Sequence, residues 1–202
     1  MKKNGFTLAE VIITLGIIGT IAAITLPALM TDTTAAQVGP KLAKAVSMFE
    51  QANEALLNAN SVDTLTDAGL LGSTASYTTE LSKYLKISAT SDGYLSKDGM
   101  LYNFTISPNI GDTSLPGHMQ RIGNVSVDIN GAAKPGVSGT DIFYFSWWND
   151  GSLRPKGATN WEPGSATWTT KCPKAEDGTI TGDGYDYCAG HVFENNLKVL
   201  YR

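Results

Sequence analysis

The chain of 202 residues is poor in the side chains that most often carry catalysis. It has two histidines, His118 and His191, which lie in different sequence contexts without a recognisable nucleophile or metal-ligand spacing. It contains no GxSxG, P-loop or HExxH motif, so the common hydrolase, nucleotide-binding and metalloprotease arrangements are excluded. We therefore expect a protein that is not an enzyme.

Basic side chains are also few. Lys and Arg together number 15 against 19 Asp and Glu, which gives a formal net charge of -4 at pH 7. Proteins that bind nucleic acids generally rely on a basic surface. The charge balance therefore argues against a nucleic acid as partner.

No charged residue occurs between Glu10 and Asp32, and residues 11–30 form an apolar run. A run of this length is enough for a helix to cross the hydrocarbon core of a bilayer. Lys2 and Lys3 precede it, and basic residues are retained on the cytoplasmic side of a membrane. We expect the N-terminus to stay inside and everything after the run to be exported.

An ordinary secretory signal fits this segment poorly. Within the apolar run, the adjacent alanines that a signal peptidase could use occur only at Ala22 and Ala23. Cleavage there would leave an apolar new N-terminus on an otherwise polar product. A cut between Gly5 and Phe6 would instead remove the basic leader and keep the whole hydrophobic segment.

The sequence G-F-T-L-A-E-V at residues 5–11, followed by the apolar run, closely resembles the type IV prepilin signature. Type IV pilins, type II secretion pseudopilins and competence pseudopilins share that signature. The resemblance implies cleavage by prepilin peptidase after Gly5, N-methylation of Phe6, and assembly through the N-terminal helix. The implied partners are identical or related pilin subunits, prepilin peptidase, the assembly platform and the inner membrane. The subunit would end in a periplasmic or extracellular filament.

Within this resemblance Glu10 is the acidic residue that guides assembly. A lone carboxylate in a membrane segment is costly to desolvate, so it marks a functional site whose partner must be named. The partner would be the α-amino group of Phe6 on a neighbouring subunit, since opposite charges in an apolar core satisfy each other. The alternative is that Glu10 lies at the headgroup level and only favours the helix N-terminus.

Apolar residues continue at helical spacing after the membrane segment, with no interruption other than Gly39-Pro40. We predict one helix from about Phe6 to Ala59, with a bend between Thr31 and Pro40. A kink near Pro27 is the simple expectation for a proline in such a helix, and the family resemblance suggests a stretch that melts during assembly. The predicted segments are a leader (1–5), a transmembrane or filament-core helix (6–30), an amphipathic continuation (31–59) and an exported globular domain (60–202).

The globular part is predicted to be α+β. A short helix is expected at Thr78–Leu85, and period-two patterns predict strands at Met100–Ser107, Ile122–Ile129 and Asp141–Trp148. Short connections favour an antiparallel meander that covers the helix, which gives the pilin-like lollipop with a small sheet domain. Further expectations are an extension of the third strand at Ser152–Arg154, a helix at Ala189–Asn195 and an edge strand at Leu197–Tyr201.

The two cysteines, Cys172 and Cys188, lie in the region predicted to be exported, where cysteine pairs normally form disulfides. Their bond would close a polar, glycine-rich C-terminal loop. Asp177, Asp183 and Asp186 alternate with glycines in this loop, and its composition resembles the calcium-binding acidic loop of major pseudopilins. Either calcium or the disulfide alone could order it, so we expect no obligatory cofactor and keep calcium as a candidate.

A second acidic stretch has two interpretations. Asp128, Asn130 and Asp141 offer oxygen ligands to calcium, although Lys134 and Pro135 stand where further acids would be expected. A plain turn between two core strands, with Asn130-Gly131 at positive φ, is the favoured interpretation.

Four tryptophans, Trp147, Trp148, Trp161 and Trp168, lie in the C-terminal third of the chain. Strand alternation places one of the first two in the core. The other two, flanked by Pro, Gly, Ser and Thr, favour a protein or glycan surface together with Tyr185 and Tyr187. An alternative function is therefore a membrane-anchored or pilus-tip binding module that recognises its ligand through these aromatic loops.

Overall fold

The computed structural model describes residues 7–107, 120–131, 133, 136–156, 172 and 188–194, with only the backbone for residues 26–35. The chain divides into two compact units, Met1–Gln37 and Val38–Arg202. The predicted edge strand at Leu197–Tyr201 lies outside the described residues.

Helix α1 spans Leu8–Asn60 and contains 53 residues, close to the predicted limits of Phe6 and Ala59. The backbone is helical at both Pro27 and Pro40. The predicted bend near Thr31–Pro40 stays a prediction. The helix ends where Ser61 adopts a left-handed φ of 54°. The next amide, of Val62, donates to the carbonyl of Leu57 over 3.2 Å, which is the bond that closes a Schellman motif.

In the second unit, one face of α1 is buried. Its buried residues recur every three or four positions, as an amphipathic helix requires. They are Val38, Leu42, Ala45, Val46, Phe49, Ala52, Asn53, Leu56 and Leu57. The prediction of an amphipathic face is confirmed, with a buried asparagine in its centre that the pattern did not indicate.

Helix α2 spans Thr74–Leu81 and follows a short 3₁₀ turn at Leu70–Gly72. It begins four residues before the predicted start at Thr78. The cap is the hydroxyl of Ser73, which accepts a hydrogen bond from the amide of Ser76 over 3.1 Å. Thr78, the predicted first residue, lies inside the helix, and its hydroxyl donates to the carbonyl of Thr74.

Six antiparallel strands form one sheet in sequence order, so the predicted meander is confirmed. The strands are β1 (Ile87–Thr90), β2 (Gly93–Ser96), β3 (Leu101–Ile106), β4 (Arg121–Asp128), β5 (Ile142–Trp148) and β6 (Leu153–Pro155). The hairpin of β1 and β2 was not predicted. The predicted extension of the third strand was wrong, because those residues turn back and pair with β5 as a separate strand.

The core of the second unit lies between α1, α2 and one face of the sheet. Trp147 on β5 is fully buried, with its ring centroid 5.8 Å from that of Phe49 and 4.6 Å from that of Tyr77. Gly123 lets β4 approach β3, because a Cβ there would overlap the carbonyl oxygen of Thr105. A last helix, α3, spans Cys188–Glu194 and packs on β5 through Phe193.

A buried polar cluster connects three elements in this core. The hydroxyl of Tyr77 donates to Oδ1 of Asn53 over 2.6 Å, and both side chains are fully buried. Nδ2 of Asn53 donates to the carbonyl of Gly151 over 3.3 Å and to that of Phe49 over 3.1 Å. The cluster therefore fixes the positions of α1, α2 and the turn before β6 relative to one another.

Candidate functional site: the head of the N-terminal helix

The described part of the first unit is an apolar helix with no buried face. Its exposed side chains include Leu8 at 78%, Ile12 at 61%, Ile18 at 63% and Ile24 at 77%. An isolated helix that is apolar on all sides needs lipid or other helices around it. The segment Leu8–Thr25 is long and apolar enough to cross a membrane, with a mean hydropathy of 2.1.

Threonine hydroxyls in this helix are bonded within it. Thr14 donates to the carbonyl of Glu10 over 2.9 Å, Thr20 to that of Ile17, and Thr25 to that of Ile21. In an apolar medium an unbonded hydroxyl would carry a desolvation cost. These bonds make the threonines compatible with lipid or with a dry helix interface.

Glu10 lies in the first turn of α1 and forms a capping box with Thr7. Its Oε2 accepts from both the amide and the hydroxyl of Thr7, each over 2.8 Å. The hydroxyl of Thr7 in turn accepts from the amide of Glu10 over 3.3 Å. Two amides that have no partner inside the helix are thereby satisfied. Within the described residues, the other carboxylate oxygen, Oε1, accepts no hydrogen bond.

Thr7 was not predicted to be part of this site. The signal was present, because T-L-A-E at residues 7–10 has the spacing of a capping box. Gly5 and Phe6, the predicted processing residues, lie outside the described residues. Their assigned roles, like the pairing of Glu10 with a neighbouring amine, stay predictions.

Residues 1–26 match the family model described as the prokaryotic N-terminal methylation motif. The chain carries the type IV pilin and pseudopilin signature. The predicted resemblance is thus confirmed for the N-terminal segment, and it indicates a pilin-like or pseudopilin-like precursor that assembles with related subunits. No curated protein and no solved structure matches the chain.

The pilin-type motif indicates a structural subunit rather than an enzyme. Among the histidines, His191 is buried in α3, and His118 lies outside the described residues. Within the described parts of the chain, no group of three or more His, Cys, Asp or Glu side chains is arranged to hold a metal ion.

The predicted disulfide between Cys172 and Cys188 is present, with the two Cα atoms 5.1 Å apart. Both cysteines are buried, and Cys188 begins α3. The bond therefore ties the start of this helix to the chain that precedes the acidic loop. The calcium candidates Asp177, Asp183 and Asp186 lie outside the described residues, so calcium binding there stays a prediction.

Asp128, Asn130 and Asp141 come together in the connection between β4 and β5. The carboxylate of Asp141 accepts from Nδ2 of Asn130 over 2.8 Å and from the amides of Gly136 and Val137 over 2.8 and 2.5 Å. Oδ1 of Asp128 accepts from the amide of Asn130 over 3.0 Å. These donors occupy oxygens that a cation would need, which favours the structural interpretation of the turn.

The side chain of Asp128 is buried in this turn. Burial raises the pKa of Asp128, and the nearby charge of Asp141 adds to the effect. Gly131 has the expected positive φ of 62°, whereas Asn130 does not share it. The predicted positive φ at Asn130 was wrong, because the connection between β4 and β5 is long and Asp141 closes it.

The aromatic residues divide as strand alternation requires, with Trp147 in the core. Trp148 points to the opposite face of the sheet and is nevertheless only 2% exposed. The guanidinium of Arg154 lies 4.6 Å from the centroid of the Trp148 ring, a cation–π contact. Trp161 and Trp168, the predicted interaction residues, lie outside the described residues.

A cavity of about 480 Å³ lies beside β6, between the second half of α1, β5 and α3. Its described acids, Glu50 and Asp150, have structural partners. Oε1 of Glu50 accepts from the amide of Leu153 over 2.9 Å, and Oδ1 of Asp150 accepts from the amide and hydroxyl of Ser152. Burial raises the pKa of Glu50, with a smaller contribution from Asp150. The bond between Leu153 and Glu50 joins β6 to α1.

Proposed function

We propose that the chain is a structural subunit of a type IV pilus or type II secretion pseudopilus. Prepilin peptidase cleaves it between Gly5 and Phe6, Phe6 is N-methylated, and the N-terminal helix enters the inner membrane and later the filament core. The observation that carries the proposal is a carboxylate in the first turn of a helix whose apolar side chains are exposed on every side. The match of residues 1–26 to the methylation motif supports it.

The geometry of Glu10 supports different hydrogen-bonding roles for its two carboxylate oxygens. Oε2 closes the capping box, and Oε1, which has no hydrogen bond within the described residues, is the oxygen we assign to a second donor. The methylated amine of Phe6 on a neighbouring subunit has the charge to supply that donor in an apolar surrounding. In this account the cap orients the carboxylate, and the pairing with the neighbour sets the stagger between subunits.

The first test is mass spectrometry of the mature N-terminus in the membrane and filament fractions. We expect a chain that begins at a methylated Phe6. An intact Met1 in assembled material would refute the proposed processing.

The second test separates the charge of Glu10 from its cap. The Glu10→Gln variant keeps a carbonyl oxygen for the Thr7 donors but loses the charge, whereas Thr7→Val keeps the charge and removes the capping hydroxyl. We expect Glu10→Gln to reduce incorporation into filaments to background. Thr7→Val should retain incorporation, with a loss set by the cap, which contributes about 0.5–2 kcal/mol to helix stability.

A Thr7→Ser variant, which keeps the hydroxyl, serves as the matched control and should behave as the native chain. If Glu10→Gln assembled normally while Thr7→Val failed, the carboxylate would act through the helix cap alone and the proposed pairing would be wrong.

A further inference from the structure

The face of the sheet that turns away from α1, here called the outer face, carries a row of uncharged polar side chains. Val125 and Phe145 are buried in the core, so alternation places Asn124 of β4 and Ser146 of β5 on the outer face. Asn124 pairs with Ser146 on one side and with Thr105 of β3 on the other. Thr105 is exposed and Asn124 is half-buried, so both can be reached from solvent.

Arg121 at the start of β4 reaches over this row. The register between β4 and β5 shifts between Arg121 and Gly123, and such a bulge changes the direction of the side chains beside it. Nε of Arg121 donates to the carbonyl of Gly123 over 3.3 Å, and Nη2 donates to Oδ1 of Asn124. These two bonds hold the guanidinium on the outer face in a fixed orientation.

The guanidinium of Arg121 has no carboxylate partner within the described residues. The ion pairs there join Lys83 to Glu80 and Lys44 to Asp98. Arg121 is half-buried, and this burial lowers its pKa. Nη1 and the second N–H of Nη2 donate to none of the described side chains, and together they form the edge that matches the two oxygens of a carboxylate. A partly desolvated cation with an open bidentate edge is suited to an anionic ligand.

Other donors near Arg121 also lack acceptors among the described residues. Nδ2 of Asn124 and the hydroxyl of Thr105 form no hydrogen bond there, and neighbouring strands lie only about 4.8 Å apart. Trp148 lies opposite Arg121 in the ladder, and its buried Nε1 has no acceptor, although a buried indole N–H usually has one. Arg154, whose guanidinium lies 4.6 Å from the centroid of the Trp148 ring, adds positive charge to this face.

We propose that the outer face binds an acidic glycan, with the carboxylate of a uronic acid residue on the open edge of Arg121. The amide of Asn124 and the hydroxyl of Thr105 donate to hydroxyl groups of the sugar. Because these two side chains are neighbours in one row, they are placed to contact the same sugar unit.

The surroundings of Arg121 favour this ligand over a phosphate or a protein. A phosphate monoester carries nearly two negative charges at neutral pH, whereas one bidentate guanidinium edge matches a single carboxylate. The centre of a protein interface is typically rich in aromatic side chains. The exposed side chains nearest Arg121 are instead amides and hydroxyls, which pair with sugar hydroxyls.

This binding goes beyond the proposed filament function. It uses only residues of the sheet and requires neither cleavage at Gly5 nor methylation of Phe6. It can therefore be measured on the unassembled subunit, and its failure would leave the proposed processing and assembly untouched.

Isothermal titration calorimetry of the full-length chain in a non-ionic detergent tests the proposal. The probes are tetragalacturonate and its methyl ester, which keeps the sugar hydroxyls and removes the negative charges. We expect the acid to bind at least about tenfold more tightly than the ester, since hydrogen bonds to a charged group are among the strongest.

Two variants separate ligand binding from a structural role of Arg121. Arg121→Lys keeps the positive charge and removes the bidentate edge, so affinity for tetragalacturonate should fall at least about tenfold. Asn124→Asp keeps the guanidinium and gives it a carboxylate within the chain. This variant should lose binding while its melting temperature stays the same or rises, whereas a merely structural Arg121 would leave binding unchanged.

The matched control is Lys97→Gln, which removes one exposed positive charge at the opposite end of the sheet. Its affinity should stay within about twofold of that of the native chain. The proposal is overturned if the native chain binds the acid and the ester equally or binds neither. Unchanged affinity in both Arg121→Lys and Asn124→Asp, or tighter binding of inorganic phosphate or of an acidic peptide than of tetragalacturonate, would overturn it as well.

Discussion

Replacing Tyr77 with Phe removes one hydroxyl from the centre of the second unit. That hydroxyl donates to Oδ1 of Asn53 over 2.6 Å, and both side chains are fully buried, so no water can replace it. An acceptor left unsatisfied in a core costs about 1–3 kcal/mol. For a chain of this size the melting temperature should fall by roughly 2–12 °C. The measurement is thermal unfolding of the full-length protein in detergent, followed by circular dichroism.

The control is Tyr84→Phe, which removes a hydroxyl from an exposed ring and should change stability by less than about 0.5 kcal/mol. A second comparison uses Asn53→Ala. In that background Tyr77→Phe should be neutral or stabilising, because the hydroxyl no longer has its acceptor. The reasoning fails if Tyr77→Phe melts with the control, or if its cost is the same with and without Asn53.

Two further predictions concern pH and the disulfide. Because burial raises the folded-state pKa of Glu50, the native state retains a proton that the unfolded state releases, and stability is lost as pH rises through that pKa. Glu50→Gln should remove this loss, so the free energy of unfolding of the variant relative to that of the native chain should increase from about pH 4 to 7. In chemical denaturation, a difference in the free energy of unfolding that stays constant with pH would contradict this. Replacing Cys172 and Cys188 with Ala should cost about 3 kcal/mol, and reductant should reproduce the loss; an unchanged melting temperature in reductant would contradict it.

Much of the fold followed from periodicity. Helix α1, three central strands and α3 carry apolar residues at regular spacing, and their limits were predicted within a few residues. The β1–β2 hairpin was not predicted because its first strand is half-buried at Ile87 and exposed afterwards, so the strand has no alternation of buried and exposed residues. The available signal was the turn residue Gly93, with a φ of 142° next to Asp92.

Polar residues in the core were the second source of error. Asn53 interrupts the apolar face of α1, and nothing near it in the sequence indicates its partners. Those partners, Tyr77 and Gly151, come from distant parts of the chain, and only tertiary structure brings them together. At the candidate site, the motif predicted the position of Glu10. Its capping box with Thr7 was not predicted, although the spacing of the two residues is that of a capping box.

The contacts of α1 have a consequence for the order in which the subunit folds. Asn53 meets Gly151, 98 residues later, and Glu50 meets Leu153, 103 residues later. Since the chain is made from its N-terminus, the apolar face of α1 is not completely covered until the turn before β6 has been synthesised. A chain truncated before Gly151 should therefore leave part of this face exposed and aggregate rather than fold.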